Sequence, residues 1–97
     1  MDSLKDISRK LRFAKADLKK HFHVMKIGIF GSYVRGEQKK SSDIDVLVEF
    51  EEPVSLFRFL DLEEYLANLL GMKVDLVSKS SLKPRIGVQI LKEAVYV

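Results

Sequence analysis

The stretch Lys26-Ile27-Gly28-Ile29-Phe30-Gly31-Ser32, then ten residues, then Asp43-Ile44-Asp45-Val46-Leu47-Val48-Glu49-Phe50, decides how this chain is read. An isoleucine-rich apolar run closes on a Gly-Ser pair, a polar stretch from Tyr33 to Ser42 follows, and a second apolar run opens with two acids one residue apart. In an extended chain successive side chains point to opposite faces, so Asp43 and Asp45 share one face and Ile44, Val46 and Val48 the other. Two carboxylates about 7 Å apart along a strand can converge on one or two divalent cations. The Gly31-Ser32 turn offers backbone N–H groups and a hydroxyl to phosphate oxygens. A phosphate cradle beside paired carboxylates points to phosphoryl or nucleotidyl transfer.

Working outward, the 97 residues suit one domain, 1–97, with a single core. No apolar run approaches the roughly 20 residues a bilayer crossing needs. Met1 to Lys20 is charged throughout and lacks an apolar signal-peptide centre, and there is no cysteine to form disulfides or act as a thiolate. These features predict a cytoplasmic protein without membrane contact. Charge is uneven: residues 1–40 hold eleven Lys/Arg against four Asp/Glu, while residues 41–97 hold six against ten. A basic half either forms a solvated face or attracts an anion such as a nucleoside triphosphate or RNA. No aromatic platform interleaves the lysines, so direct nucleic-acid binding is not expected.

Leu4, Ile7, Leu11, Ala14, Leu18 and Phe22 recur at helical steps and predict an amphipathic helix with Ser3 as N-cap and Asp6 near its positive end. His21 and His23 end it; at this spacing two histidines converge only from extended chain, and no third ligand lies nearby in sequence. Lys26–Phe30 reads as a strand, residues 32–36 as a short helical turn, and Asp43 or Ile44 to Phe50 as a second strand, whose direction the connection length leaves open. Pro53 breaks it. Ser55 caps a helix, with Val54 and Phe59 as a hydrophobic staple and Leu56, Phe59, Leu60, Leu66, Leu69 and Leu70 expected on its buried side, stopping at Gly71. Lys73–Val77 is a third strand, with Asp75 and Val77 on one face and Val74 and Leu76 on the other. Ser80-Ser81 and Pro84 open a last helix to about Glu93, carrying Ile86, Ile90 and Leu91; Ala94 to Val97 is an edge strand or a packed tail. The order predicts an α/β chain with a small mixed sheet of three to four strands covered by helices.

Asp45 interrupts a strand otherwise suited to burial, and two acids at one strand end repel unless a cation offsets them. An all-oxygen donor set favours magnesium or manganese. Asp75 joins the pair only if the third strand neighbours the second; it would then complete a triad and accept a proton from an attacking hydroxyl. The chain has neither the Gly-rich Lys-Ser/Thr phosphate loop nor the dinucleotide glycine fingerprint, and no serine stands in a nucleophile elbow.

Gly31-Ser-Tyr-Val-Arg-Gly36, Ser42-Asp-Ile-Asp-Val-Leu-Val-Glu-Phe50, Val74-Asp75-Leu76-Val77 and Ile90-Leu91-Lys92-Glu93-Ala94 together resemble the minimal nucleotidyltransferase branch of the DNA polymerase beta superfamily. The resemblance spans nearly the whole chain. It implies the small nucleotidyltransferase fold, with Asp43 and Asp45 binding magnesium, two ions in all, and Asp75 as the third carboxylate. Gly31 and Ser32 would hold the ATP phosphates, with Ser42, Arg35 and Lys40 as further phosphate contacts, or with Arg35 bracing the loop by ion pairing. Members of this branch are typically antitoxins, paired in a type VII-like system with a HEPN-domain ribonuclease toxin, and the implied reaction moves AMP from ATP to a tyrosine of that toxin. The alternatives are a module that neutralises its partner by contact alone and a small-molecule nucleotidyltransferase. The latter fits poorly, because 97 residues leave no room for the acceptor domain of the larger relatives.

Overall fold

The computed structural model describes residues 3–97. Helix α1 (Leu4–Phe22) starts in a capping box: the Asp6 N–H donates to Ser3 Oγ at 3.2 Å and the Ser3 N–H to Asp6 Oδ2 at 3.4 Å. Its stripe buries Ile7, Leu11, Ala14 and Leu18, with Leu4 and Phe22 partly covered, as the periodicity predicts. His23 ends it in the left-handed conformation at φ 57°, and both His21 and His23 are exposed.

Strand β1 (Val24–Phe30), the single-turn helix α2 (Ser32–Arg35) and strand β2 (Ile44–Phe50) follow. β2 returns antiparallel to β1, pairing Phe30 with Asp45 and Val24 with Phe50, so the connection carrying α2 joins neighbouring strands rather than crossing the sheet. Helix α3 (Leu56–Leu70) is capped by Ser55, whose Oγ accepts the Arg58 N–H at 3.2 Å, and stops at Gly71. Strand β3 (Val74–Ser78) pairs parallel to β2, and after the 3₁₀ turn Lys79–Ser81 helix α4 (Pro84–Glu93) begins on its proline. The tail forms β4 (Val95–Tyr96), antiparallel to β1, giving the sheet order β3-β2-β1-β4.

The mixed four-stranded sheet has two unlike faces. Ile27, Ile29, Ile44, Val46, Val48, Val74 and Leu76 point into a core shared with α1 and α3. The Phe22 and Tyr65 rings, 5.3 Å between centroids, join those helices. Glu63 of α3 accepts the Leu76 N–H at 3.0 Å, occupying a donor on the edge strand that would otherwise invite pairing with another chain. The second face carries Asp45 and Asp75.

The buried side of α3 agrees with the expectation at Phe59, Leu66, Leu69 and Leu70 and differs from it at Leu56, Leu60 and Leu62. Leu62, Leu66 and Leu70 are its fully buried residues, Phe59 and Leu69 are partly covered, and Leu56 and Leu60 are 68% and 47% exposed. At 3.6 residues per turn Leu60 lies about 160° round the helix from Leu62, away from its packing surface, and Leu56 is the first residue of the helix, well before the buried line begins at Leu62. On α4, Ile90 is half-buried while Ile86 and Leu91 are exposed.

Candidate active site

The site is assembled by the ends of three strands and the last turn of α4. β1 runs out at Gly31, which adopts φ 80° and ψ −150°, a backbone region essentially closed to other residues. The turn needs glycine for space as well: a Cβ there would collide with Asp45 Oδ2 and stand 3.0 Å from Asp45 Cγ. The strand end is thus pressed against the Asp45 carboxylate. The chain then coils at once into α2, with the Val34 and Arg35 N–H groups donating to the Gly31 carbonyl. The N–H groups that open a helix have no partner within it, so Ser32 and Tyr33 begin a natural anion cradle, with the partly exposed Ser32 side chain beside them.

The three predicted acids lie at the same end of the sheet. Asp45 and Asp75 are partners in the parallel β2–β3 ladder. Matched residues on adjacent strands point to the same face, about 4.8 Å apart at the backbone. Asp43 stands two residues before Asp45, just ahead of the ladder, where the Ile44 N–H donates to the Lys73 carbonyl at 3.0 Å. Asp43 and Asp45 are partly buried and Asp75 is exposed. Burial, followed by the like charges of Asp75 and Asp43, raises the Asp45 pKa, with Glu93 adding to the rise and Arg35 opposing it. Among the described residues no three His, Cys, Asp or Glu side chains are gathered closely enough to form a ready metal cage. The donor chemistry nevertheless fits a hard cation: the carboxylates supply only oxygen, and a bound cation would offset their mutual repulsion.

Two carboxylates claim the Arg35 guanidinium. Its Nε donates to Glu37 Oε1 at 2.7 Å and its Nη1 to Glu93 Oε1 at 2.6 Å. The second Glu93 oxygen accepts the Gly31 N–H at 2.8 Å, and these two hydrogen bonds lower the Glu93 pKa. Of the two roles open to Arg35, the geometry displays loop bracing. Ser42 Oγ accepts the Lys39 N–H at 2.8 Å and closes the loop before β2, while Lys40 is exposed. The sequence reading missed Glu93; a partner 62 residues from Gly31 leaves no signal in local spacing.

An open groove of about 510 Å³ runs between the Gly31 turn, Asp45 and the α4 side chains Ile86, Gln89, Ile90 and Glu93. A larger depression of about 780 Å³ lies at the opposite end of β2, around Phe50, Pro53, Val54 and Phe59. Of the two, the smaller groove is the one that joins the Gly31 turn to the Asp45 carboxylate.

Residues 11–97 match the nucleotidyltransferase domain family. The chain belongs to that family. It is 55% identical over 97 residues to protein adenylyltransferase MntA of Thermococcus cleftensis, covering 100% of this chain and 98% of the relative. Among solved structures it resembles a minimal nucleotidyltransferase at TM-score 0.81 and 38% identity, over 97% of this chain and 95% of the other. It also resembles a chain of a toxin–antitoxin complex solved with AMP-PNP, at TM-score 0.74 and 26% identity, over 92% of this chain and 70% of that one. The mixed four-stranded sheet with covering helices matches the fold of the solved minimal nucleotidyltransferase.

Proposed function

We propose that this chain is an antitoxin that acts as a protein adenylyltransferase, moving AMP from ATP to a tyrosine of a cognate HEPN-type ribonuclease toxin. The observation that carries the reading is the ladder pairing of Asp45 with Asp75 beside the Gly31-Ser32 turn, in a chain 55% identical to a protein adenylyltransferase. The likeness to a chain of a toxin–antitoxin complex solved with AMP-PNP supports a toxin as partner and an adenine nucleotide as substrate. No helix among the described residues is long and apolar enough to cross a membrane.

In this reading the ATP phosphates lie over the Gly31-Ser32 turn, where the opening N–H groups of α2 and the Ser32 hydroxyl meet anionic oxygen. Magnesium, held by Asp43 and Asp45 with Asp75 beside them, would offset negative charge on the α-phosphate and the departing diphosphate. The tyrosine oxygen attacks the α-phosphorus as the bond to the bridging α–β oxygen breaks, diphosphate leaves, and the phenolic proton passes to a carboxylate. Asp75 is exposed and so accessible to an incoming protein hydroxyl, which fits it for that proton. AMP on the toxin adds bulk and negative charge, which would oppose RNA binding.

The test is incubation of the purified protein with its cognate toxin, ATP and magnesium, followed by intact-mass measurement. Addition of AMP units to the toxin, lost with Asp43→Ala and Asp75→Ala, supports transfer. Neutralisation that persists in Asp43→Ala with no mass change would show inhibition by contact alone.

A further inference from the structure

Glu93 occupies a position that the sheet register makes special. β4 pairs with β1 as Ile29 to Val95 and Gly28 to Tyr96, and the Val97 N–H donates to the Ile27 carbonyl at 3.0 Å. Continued two residues further, the same register sets Gly31 opposite residue 93, where the chain is still helical. The ladder cannot continue there, and the Glu93 side chain takes its place by accepting the Gly31 N–H at 2.8 Å. Its other oxygen accepts from Arg35 at 2.6 Å. Both carboxylate oxygens are therefore engaged and its orientation is fixed, at 22% side-chain exposure. On its other side Gly31 abuts Asp45. One carboxylate of α4 thus sets the start of the turn, and through Arg35 its end.

We propose that Glu93 is a positioning residue for nucleotide binding. It holds both ends of the Gly31–Arg35 turn so that the Ser32 hydroxyl and the first N–H groups of α2 face the triphosphate, and it keeps Arg35 as a brace rather than a phosphate ligand. The inference rests on the nucleotidyl-transfer reading above and adds a residue to it. Glu93 touches no substrate in this scheme; it acts through Gly31 and Arg35.

The experiment measures ATP–magnesium affinity by calorimetry on the whole chain, alongside the melting temperature, for wild type, Glu93→Ala, Glu93→Gln, Arg35→Ala and the Arg35→Ala/Glu93→Ala pair. Glu93→Ala is expected to weaken binding about tenfold at a temperature where the protein is fully folded, the size of one charge-assisted hydrogen bond. Glu93→Gln keeps an acceptor oxygen for Gly31 and is expected to weaken it only about threefold. The double variant is expected to be little worse than Glu93→Ala, because both changes cut the same tie. Should Glu93→Ala not fold, Glu93→Gln carries the test. Folded variants whose affinity stays within about twofold of wild type, with only the melting temperature lowered, would assign Glu93 a purely structural role and overturn the proposal. Tighter ATP binding in Glu93→Ala would overturn it too, by showing that the carboxylate competes with phosphate. Wild-type protein that binds no ATP would sink the nucleotidyl-transfer reading and this inference together.

Discussion

Replacing Gly31 by alanine probes the contact between turn and carboxylate most directly. The residue sits at φ 80° and ψ −150°, so any side chain carries backbone strain of about 1–3 kcal/mol. The new Cβ would also overlap Asp45 Oδ2 and stand 3.0 Å from Asp45 Cγ, and forcing a methyl group into such a space costs a further 1–3 kcal/mol or so. The sum, about 2–6 kcal/mol, is a large share of the roughly 5–15 kcal/mol that holds a domain of this size together. Gly36 supplies the control: its φ is also positive, 73°, but nothing lies within 4 Å of an added Cβ, so Gly36→Ala should cost only about 1 kcal/mol. Urea denaturation of both variants measures the difference. Asp45→Ala introduced into Gly31→Ala removes the colliding carboxylate and should recover about 1–2 kcal/mol relative to the sum of the single effects. Equal losses for Gly31→Ala and Gly36→Ala, or no recovery in the double variant, would refute the idea that the turn is seated against Asp45.

Asp45→Asn should raise the melting temperature of the metal- and nucleotide-free protein by a few degrees while abolishing AMP transfer, because it removes a partly buried charge facing Asp75 and Asp43; scanning calorimetry in chelator checks it. Glu93 has a lowered native pKa, so its contribution to stability is present above its ordinary value of 4.5 and is lost as pH falls through the lower native value. Wild type should therefore out-melt Glu93→Gln at neutral pH by a small margin, Glu93 being near the surface, and the two should converge in acid; a margin that grew on acidification would contradict the pairing.

Much of this architecture was legible because it depends on local chemistry. The α1 stripe at three- and four-residue steps, the Ser3 and Ser55 caps, the Gly71 stop and the Pro84 start each act within one helical turn, and all stand where the sequence places them. On α3 the expectation held at Leu66 and Leu70 but took in Leu56 and Leu60 and passed over Leu62, because leucines surround that helix and only the position of the sheet selects the line Leu62, Leu66, Leu70. Similarly, a dozen residues between β1 and β2 permit either strand direction; hydrogen bonding across the sheet selected the antiparallel return.

The sequence by itself determined the Gly-Ser turn and the placement of Asp45 on the face opposite Ile44 and Val46, because alternation along a strand is a property of the backbone and needs no partner. Tertiary structure alone decided that Asp75 stands beside Asp45, since strand neighbours are chosen by packing between segments about 30 residues apart, and that Glu93 grips the turn from the far end of the chain. Contacts of that range depend on the closure of the whole sheet, which no local pattern encodes.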